Sequence, residues 1–286
     1  MQHTKIPTLD LSQCGRAEAV RIFGEGLEHF GFVTVVNHGV DQELLTGAYD
    51  IARRVFALPA ETKRLYETPE NGRFTGYASY GVEHAKDDPR PDLKEFWHVR
   101  KHVPEAFLLF PKEMPDFGPV CLQLFDELDG VAARLLGLLD TYLGMPADHF
   151  AGMVRNGNTL LRLLHYPEIL GRPDAMRAAP HEDINFVTLL VAATSAGLEV
   201  KTHDGNWIPV ENPPNAIIVN SGDMLKAYTG ERIPSTTHRV VNGDGKPRYS
   251  IPFFVHPRAE VLLVKEPPLT AGEYLERRFA EIGLKA

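Results

Sequence analysis

From about residue 158 the chain becomes a succession of short β-type runs divided by turn residues, and that texture restricts the fold more than any other feature. Runs at 158–166, 184–193, 197–202, 206–210, 215–220, 237–241 and 247–256 are rich in β-branched, leucine or aromatic residues. His203-Asp-Gly205 separates two of them and Asn242-Gly-Asp-Gly245 another two. Such sequences suit hairpins, because Gly and Asn accept the positive φ of tight turns. Many short strands at regular spacing predict an antiparallel sandwich or barrel, in which strand edges are paired instead of exposed.

The first half has a different texture. Ile6-Pro-Thr-Leu-Asp-Leu reads as a short strand, and the run containing Ala19, Val20, Ile22, Phe23 and Leu27 as a helix. Gly31-Phe-Val-Thr-Val-Val-Asn-His-Gly39 is a strand closed by a turn. Leu44 to Leu58 has helical apolar spacing up to Pro59, and a short helix follows over 61–66. Residues 67–95 are rich in Gly, Pro and charge, which predicts a long irregular loop of the kind that often serves as a lid. Leu124, Leu128, Val131, Leu135, Leu138 and Tyr142 step by three or four, so 118–143 is predicted to be one amphipathic helix able to brace a sheet. The expectation is a mainly β fold with flanking helices in a single compact unit over 1–286. Its 1–150 region is helix-rich with a few strands, 151–262 forms the β core, and 263–286 supplies a C-terminal helix.

At 43 % hydrophobic and 24 % charged residues, the 286-residue chain can build a substantial core. A formal net charge of -8 argues against a nucleic-acid or anionic-membrane binder. The two cysteines, Cys14 and Cys121, lie far apart and outside any metal-ligand spacing, which suits a reducing compartment. The first residues show no basic-then-apolar pattern, and the apolar stretch 120–143 is broken by Asp126, Glu127, Asp129, Arg134 and Asp140. A cytoplasmic protein with no membrane partner is expected; oligomeric state is left open, and a monomer is compatible with the sequence.

Within the β-rich half, His181 and Asp183 stand two apart in an extended segment, so their side chains converge while Glu182 turns away. His238 opens another β-branched run, Thr236-Thr-His-Arg-Val-Val. Two histidines and one carboxylate can occupy one face of an octahedron around Fe(II) and leave the other face open for oxygen and a chelating co-substrate. With twelve histidines in the chain, a His-x-Asp pair alone is a weak signal; its weight comes from the residues that follow in order on predicted strands. Arg248 and Ser250 lie ten and twelve residues beyond His238 and share a strand face, where guanidinium and hydroxyl could grip a carboxylate. His38 and His203 read as turn residues, and His84 and His98 as surface residues in or beside the loop.

Taken together, His181-Glu-Asp183, Asn220-Ser-Gly-Asp223-Met-Leu, His238-Arg-Val-Val and Arg248-Tyr-Ser250 resemble the iron(II)/2-oxoglutarate-dependent oxygenase superfamily. The upstream segments Ile6-Pro-Thr-Leu-Asp-Leu, Gly31 to Gly39, Phe56-Ala-Leu-Pro-Ala-Glu-Thr-Lys63 and Gly76-Tyr are similar to its isopenicillin N synthase-like branch. The resemblance spans nearly the whole chain and implies a double-stranded β-helix (jelly-roll) core. It implies Fe(II) on His181, Asp183 and His238, 2-oxoglutarate gripped at its distal carboxylate by Arg248 and Ser250, and O2 as the second co-substrate. Leu161-Arg-Leu-Leu-His-Tyr-Pro167 resembles the family's Asn-x-Tyr-Pro segment, which puts Tyr166 beside 2-oxoglutarate and Leu164 where an asparagine is usual. Arg162 shares that strand face: inward, it would bind a substrate carboxylate or support 2-oxoglutarate; outward, it would be solvated.

Asp92-Leu-Lys-Glu-Phe-Trp-His98 matches the family strand that lines the substrate side. Phe96, Tyr77, Tyr80 and Phe254 are the candidate substrate contacts, beside Arg162. The resemblance implies an enzyme that oxidises a small organic molecule of specialised metabolism, with hydroxylation as the default and release of succinate and CO2. No protein nucleophile or general base is required beyond the metal ligands. Desaturation, ring closure and ethylene formation use the same iron site, as does an oxidase that omits 2-oxoglutarate. A non-catalytic jelly-roll metal-binding protein is the alternative from another class, and an open ligand face argues against it, since structural sites close their coordination sphere.

Overall fold

A computed structural model describes residues 5–69, 73–84, 92–169, 176–243 and 245–281. The first half contributes β1 (Thr8–Asp10), α1 (Arg16–Phe30), β2 (Phe32–Val36), α2 (Gln42–Phe56), α3 (Ala60–Arg64), β3 (Gly76–Ala78) and β4 (Glu95–Val99). Two helices, α4 (Phe117–Leu143) and α5 (His149–Val154), separate these from the β-rich half. That half holds β5 (Leu160–Tyr166), β6 (Met176–His181), β7 (Val187–Val191), β8 (Leu198–Lys201), β9 (Trp207–Pro209) and β10 (Ile217–Ser221). It continues with α6 (Asp223–Tyr228), β11 (His238–Val241), β12 (Arg248–Val255), β13 (Leu262–Val264), β14 (Leu269–Thr270) and α7 (Ala271–Glu281).

The strands form an eight-stranded sheet in the order β1-β2-β10-β7-β12-β5-β4-β3 and a four-stranded sheet in the order β6-β11-β8-β9. This is the expected mainly β architecture, a jelly roll with flanking helices. The seven anticipated strands correspond to β5 and β7 to β12, each shorter by between one and five residues. β6 is additional, because Arg177 and Pro180 interrupt its apolar pattern. The segment predicted as a loop over 67–95 contains β3, and Glu95 opens β4. The large sheet runs across residue 150, with β1 to β4 from the first half hydrogen-bonded beside strands of the second. Residues 262–270 form a β13–β14 ribbon before α7, and residues 282–286 lie outside the described set.

Strand alternation decides what each face of the large sheet carries. Across β4 and β5, Phe96 lies opposite Leu164 and His98 opposite Arg162; across β5 and β12, Tyr166 lies opposite Arg248 and Leu164 opposite Ser250. These residues turn toward the small sheet. Their neighbours Trp97, Leu163 and Phe253 turn the other way, into the main hydrophobic core beneath the helices.

Chief among those helices is α4, 27 residues and so about 40 Å long. It packs on α1, α2 and the sheet through buried Leu124, Phe125, Leu128 and Leu135. α1 stops at Gly31, whose φ of 66° closes the helix through its N–H to the Leu27 carbonyl at 2.8 Å. A Cβ there would also come within 2.3 Å of Thr236 Oγ1, so the turn that leads into β2 has room for glycine alone. Among the described residues no helix is long and apolar enough to cross a membrane.

Candidate active site

His181 ends β6 and His238 begins β11, directly opposite each other in the small sheet. Their ring centroids are 4.4 Å apart. Asp183 follows in the turn after β6, and one ligand atom from each of the three lies within 4.8 Å of the others. Each ring has its Nδ1 against a backbone carbonyl, His181 on Ala179 at 2.8 Å and His238 on Thr236 at 3.1 Å. A carbonyl only accepts, so Nδ1 must carry the proton, and both Nε2 lone pairs are left for a metal. The Asp183 carboxylate is divided in the same manner. Its Oδ2 accepts from Thr188 Oγ1 at 2.6 Å and Asn220 Nδ2 at 2.8 Å, while Oδ1 faces His238 Nε2 at 3.9 Å.

Burial would raise the Asp183 pKa, but His238, His181 and the two hydrogen bonds together hold it below its ordinary value. Burial and the nearby His181 ring push His238 down, toward the neutral form that binds metal. The glycine of Asn220-Ser-Gly-Asp223 matters to this geometry. A Cβ on Gly222 would stand 2.3 Å from the Asn185 carbonyl and 2.8 Å from that of Asp183, so only glycine lets β10 pass this close behind the ligand loop.

Between the two sheets, next to the triad, a pocket extends to Arg248, Ser250 and Tyr166. Arg248 is 2 % exposed; its Nε donates to the Ser195 carbonyl at 3.2 Å, and its Nη1 has no partner among the described residues. A buried guanidinium nitrogen without an acceptor is costly, and a bound carboxylate would supply one. Ser250 lines the same space and the Tyr166 ring lies 5.2 Å from the guanidinium, so these residues fit a dicarboxylate chelating a metal at the triad.

A second pocket adjoins the triad on its other side. Arg162 points inward and lines both pockets, as does Phe254. The Arg162 guanidinium is held bidentately by Glu83 at 3.0 and 3.1 Å, and its Nε donates to His98 Nε2 at 2.7 Å. Lys94 then bridges Glu83 at 2.6 Å and Asp92 at 2.7 Å. Burial opposes ionisation of Glu83, yet Arg162 and Lys94 hold its carboxyl far below the usual range. Burial lowers Lys94, and Asp92 and Glu83 more than reverse that, so it stays an ammonium. Burial, then the charges of Arg162 and Arg100, keep His98 neutral.

Several expectations are corrected by the strand register. Tyr77 lies opposite Trp97 and therefore faces the helices; its ring is 5.9 Å from Trp97 and its hydroxyl donates to Glu95 at 2.5 Å. Tyr80 is 44 % exposed and reaches toward His165, on that same helix side, so neither tyrosine lines the pockets beside the triad. Phe96 is fully buried behind Arg162, whose guanidinium lies 4.2 Å over its ring, and so supports the wall without lining it. His98 is buried beside Arg162, not at the surface, because it sits on the inward face of β4. Lys94 is a wall residue that the sequence reading omits, though it shares the alternation of Phe96 and His98 and could have been found by it. Glu83 stands in an irregular segment with no period to reveal it.

Comparison with known proteins gives a consistent result. Residues 6–117 match the family model described as non-haem dioxygenase in morphine synthesis N-terminal, and residues 157–257 match the 2OG-Fe(II) oxygenase superfamily. The 2'-deoxymugineic-acid 2'-dioxygenase of Hordeum vulgare is 32% identical over 264 residues, covering 90% of this chain and 76% of that protein. The crystal structure of a 2OG-Fe(II) oxygenase family protein from Caulobacter crescentus is similar with a TM-score of 0.85 and 36% identity, covering 96% of this chain and 98% of that one. A full-length Neurospora crassa protein, crystallised in complex with alpha-KG and thymine, has a TM-score of 0.86 at 26% identity, covering 96% of each chain.

Proposed function

The chain belongs to the 2OG-Fe(II) oxygenase superfamily, and from that premise we propose that it hydroxylates a small organic molecule held in the pocket beside His181, Asp183 and His238. It is an enzyme that uses Fe(II) and 2-oxoglutarate. When bound, these supply oxygen activation coupled to release of succinate and CO2. The observation that carries our assignment is the three-sided ligand set, two Nε2 atoms and one carboxylate oxygen with every other donor of those side chains already committed.

In this assignment Arg248 and Ser250 bind the distal carboxylate of 2-oxoglutarate and Tyr166 flanks it, supported by the buried, unpartnered Arg248 Nη1 beside the pocket. Phe254 lines both the co-substrate pocket and the substrate pocket and stands between them. Arg162 and Phe96 shape the substrate wall. Free thiols at Cys14 and Cys121 support a cytoplasmic site of action.

The test is 2-oxoglutarate-dependent oxygen uptake and succinate formation in air, with wild-type protein and Asp183→Ala. Loss of both in the variant, with retained fold, is expected. Succinate formation at the wild-type rate by Asp183→Ala would overturn the assignment.

A further inference from the structure

The charged wall of the substrate pocket has a balance that bears on what it admits. Four charges, buried or nearly so, meet there: Glu83 and Asp92 on one side, Lys94 and Arg162 on the other, each touching an opposite charge at 3.1 Å or less. Asp92 is fixed in addition by the Ala179 N–H at 3.0 Å. The cluster therefore carries no net charge. On another side of the pocket Arg278 lies between Glu281 at 2.9 Å and Asp223 at 3.6 Å, and its buried Nε has no hydrogen-bond partner among the described residues. Lys94, Arg162 and Arg278 thus each have a carboxylate of the protein beside them already. The carboxylate that so enclosed an arginine demands is supplied to Arg162 by the protein itself, through Glu83.

The unused hydrogen-bonding capacity of the cluster is mixed. Arg162 spends three of its five N–H groups on His98 and Glu83, and Lys94 two of its three on Glu83 and Asp92. The leftover donors sit beside leftover lone pairs on Glu83 and Asp92. A ligand edge that both donates and accepts satisfies the two kinds together. A carboxylate only accepts, so it would bring lone pairs against lone pairs and add an uncompensated charge to a buried site.

We propose that Glu83, Lys94, Asp92 and Arg162 form a specificity filter that selects an uncharged polar substrate, with an amide, imide or urea edge, over one bearing a free carboxylate. The filter rests on the oxygenase reading of the adjoining triad for its meaning, though its selectivity can be measured without turnover. Phe254 and Phe279 line the same pocket, which suits a flat or aromatic body behind that edge.

The experiment uses matched probes, benzamide with benzoate and phenylacetamide with phenylacetate. Affinities are measured by ligand-observed NMR on the full chain loaded with Fe(II) and 2-oxoglutarate under argon, and oxygen uptake is measured separately in air. The amides are expected to bind tighter than the acids by about tenfold or more. Glu83→Gln removes the countercharge and should bring the ratio to one or invert it, while Glu83→Asp keeps the charge and the wild-type preference. Acids binding as well as amides, no amide binding up to the solubility limit, or an unchanged ratio in a folded Glu83→Gln protein overturns the proposal. If Glu83→Gln does not fold, the wild-type ratio decides alone. Selectivity that responds to Glu83 without any 2-oxoglutarate turnover would sink the oxygenase reading and spare the filter; turnover with a flat acid-to-amide ratio would do the reverse.

Discussion

Replacing Thr188 by valine isolates one hydrogen bond that orients the metal-facing carboxylate. Thr188 is 3 % exposed, and valine has nearly the same shape, so the change removes a hydroxyl and little else. That hydroxyl has a single proton and two acceptors in range, Asp183 Oδ2 at 2.6 Å and Asn185 Oδ1 at 3.3 Å. The shorter contact to an ionised group takes the proton. Asn185 Nδ2 in turn donates to Thr188 Oγ1 at 3.1 Å, so the groups form a chain, amide to hydroxyl to carboxylate, in which each link strengthens the next. A hydrogen bond to a charged group is worth about 1.5–3 kcal/mol, and losing an outer partner of a ligand typically lowers metal affinity about 10–100-fold. Asn220 remains as the other donor on Oδ2, so the carboxylate should loosen without being lost. We expect Thr188→Val to weaken Co(II) binding, followed by its visible absorption, by about tenfold or more. Thr188→Ser, which restores the hydroxyl, should return to near the wild-type value. Wild-type affinity in a folded Thr188→Val protein, or a serine variant as weak as the valine one, would refute the role given to this hydroxyl.

Three further outcomes follow from the same geometry. Arg248→Met should raise the apparent KM for 2-oxoglutarate by about 100-fold or more while leaving Co(II) affinity nearly unchanged, since Arg248 touches no ligand of the triad; steady-state oxygen uptake checks the first and absorption titration the second. Tyr77→Phe should cost about 1–3 kcal/mol of stability in chemical denaturation, by removing a donor from buried Glu95, and should not change kcat for 2-oxoglutarate turnover. His256, pushed by burial and then by Arg100 down to about 3, titrates in the unfolded chain near 6.5. The unfolded state therefore takes up the proton first, and stability falls as pH drops from about 6.5 toward about 3. In metal-free protein His256→Asn should flatten that loss by about 2 kcal/mol between about pH 7 and about pH 5, read from urea midpoints.

What can be read from the sequence follows the physical range of each signal. His181 with Asp183, and Arg248 with Ser250, are visible because two-residue alternation is local and survives any arrangement of the sheets. Leu124 to Tyr142 announces α4 for the same reason. Tyr77 is misplaced by such reasoning because its face is set by its pairing with Trp97, a partner twenty residues away, and not by its own neighbours. β6 is hidden by Arg177 and Pro180, which a strand tolerates only because of what surrounds it. Glu83 is out of reach altogether: its role exists only where β5 brings Arg162 beside it, 79 residues along the chain.

One consequence of the sheet order concerns how such a protein can change. The proposed metal ligands His181, Asp183 and His238, and Arg248 with them, all lie beyond residue 150, whereas Glu83, Asp92, Lys94 and His98 arrive on the segment that ends in β4. The residues assigned to reactivity thus sit on one stretch of the polypeptide, while the proposed filter is assembled from both, Glu83, Asp92 and Lys94 meeting Arg162 of β5 beside the β4–β5 seam. A single crossover between two such chains, placed in the long helix α4, would exchange the Glu83, Asp92 and Lys94 side of the pocket wall while leaving untouched the residues assigned to the metal and 2-oxoglutarate. Diversification by recombination is therefore open to this architecture without rebuilding its chemistry.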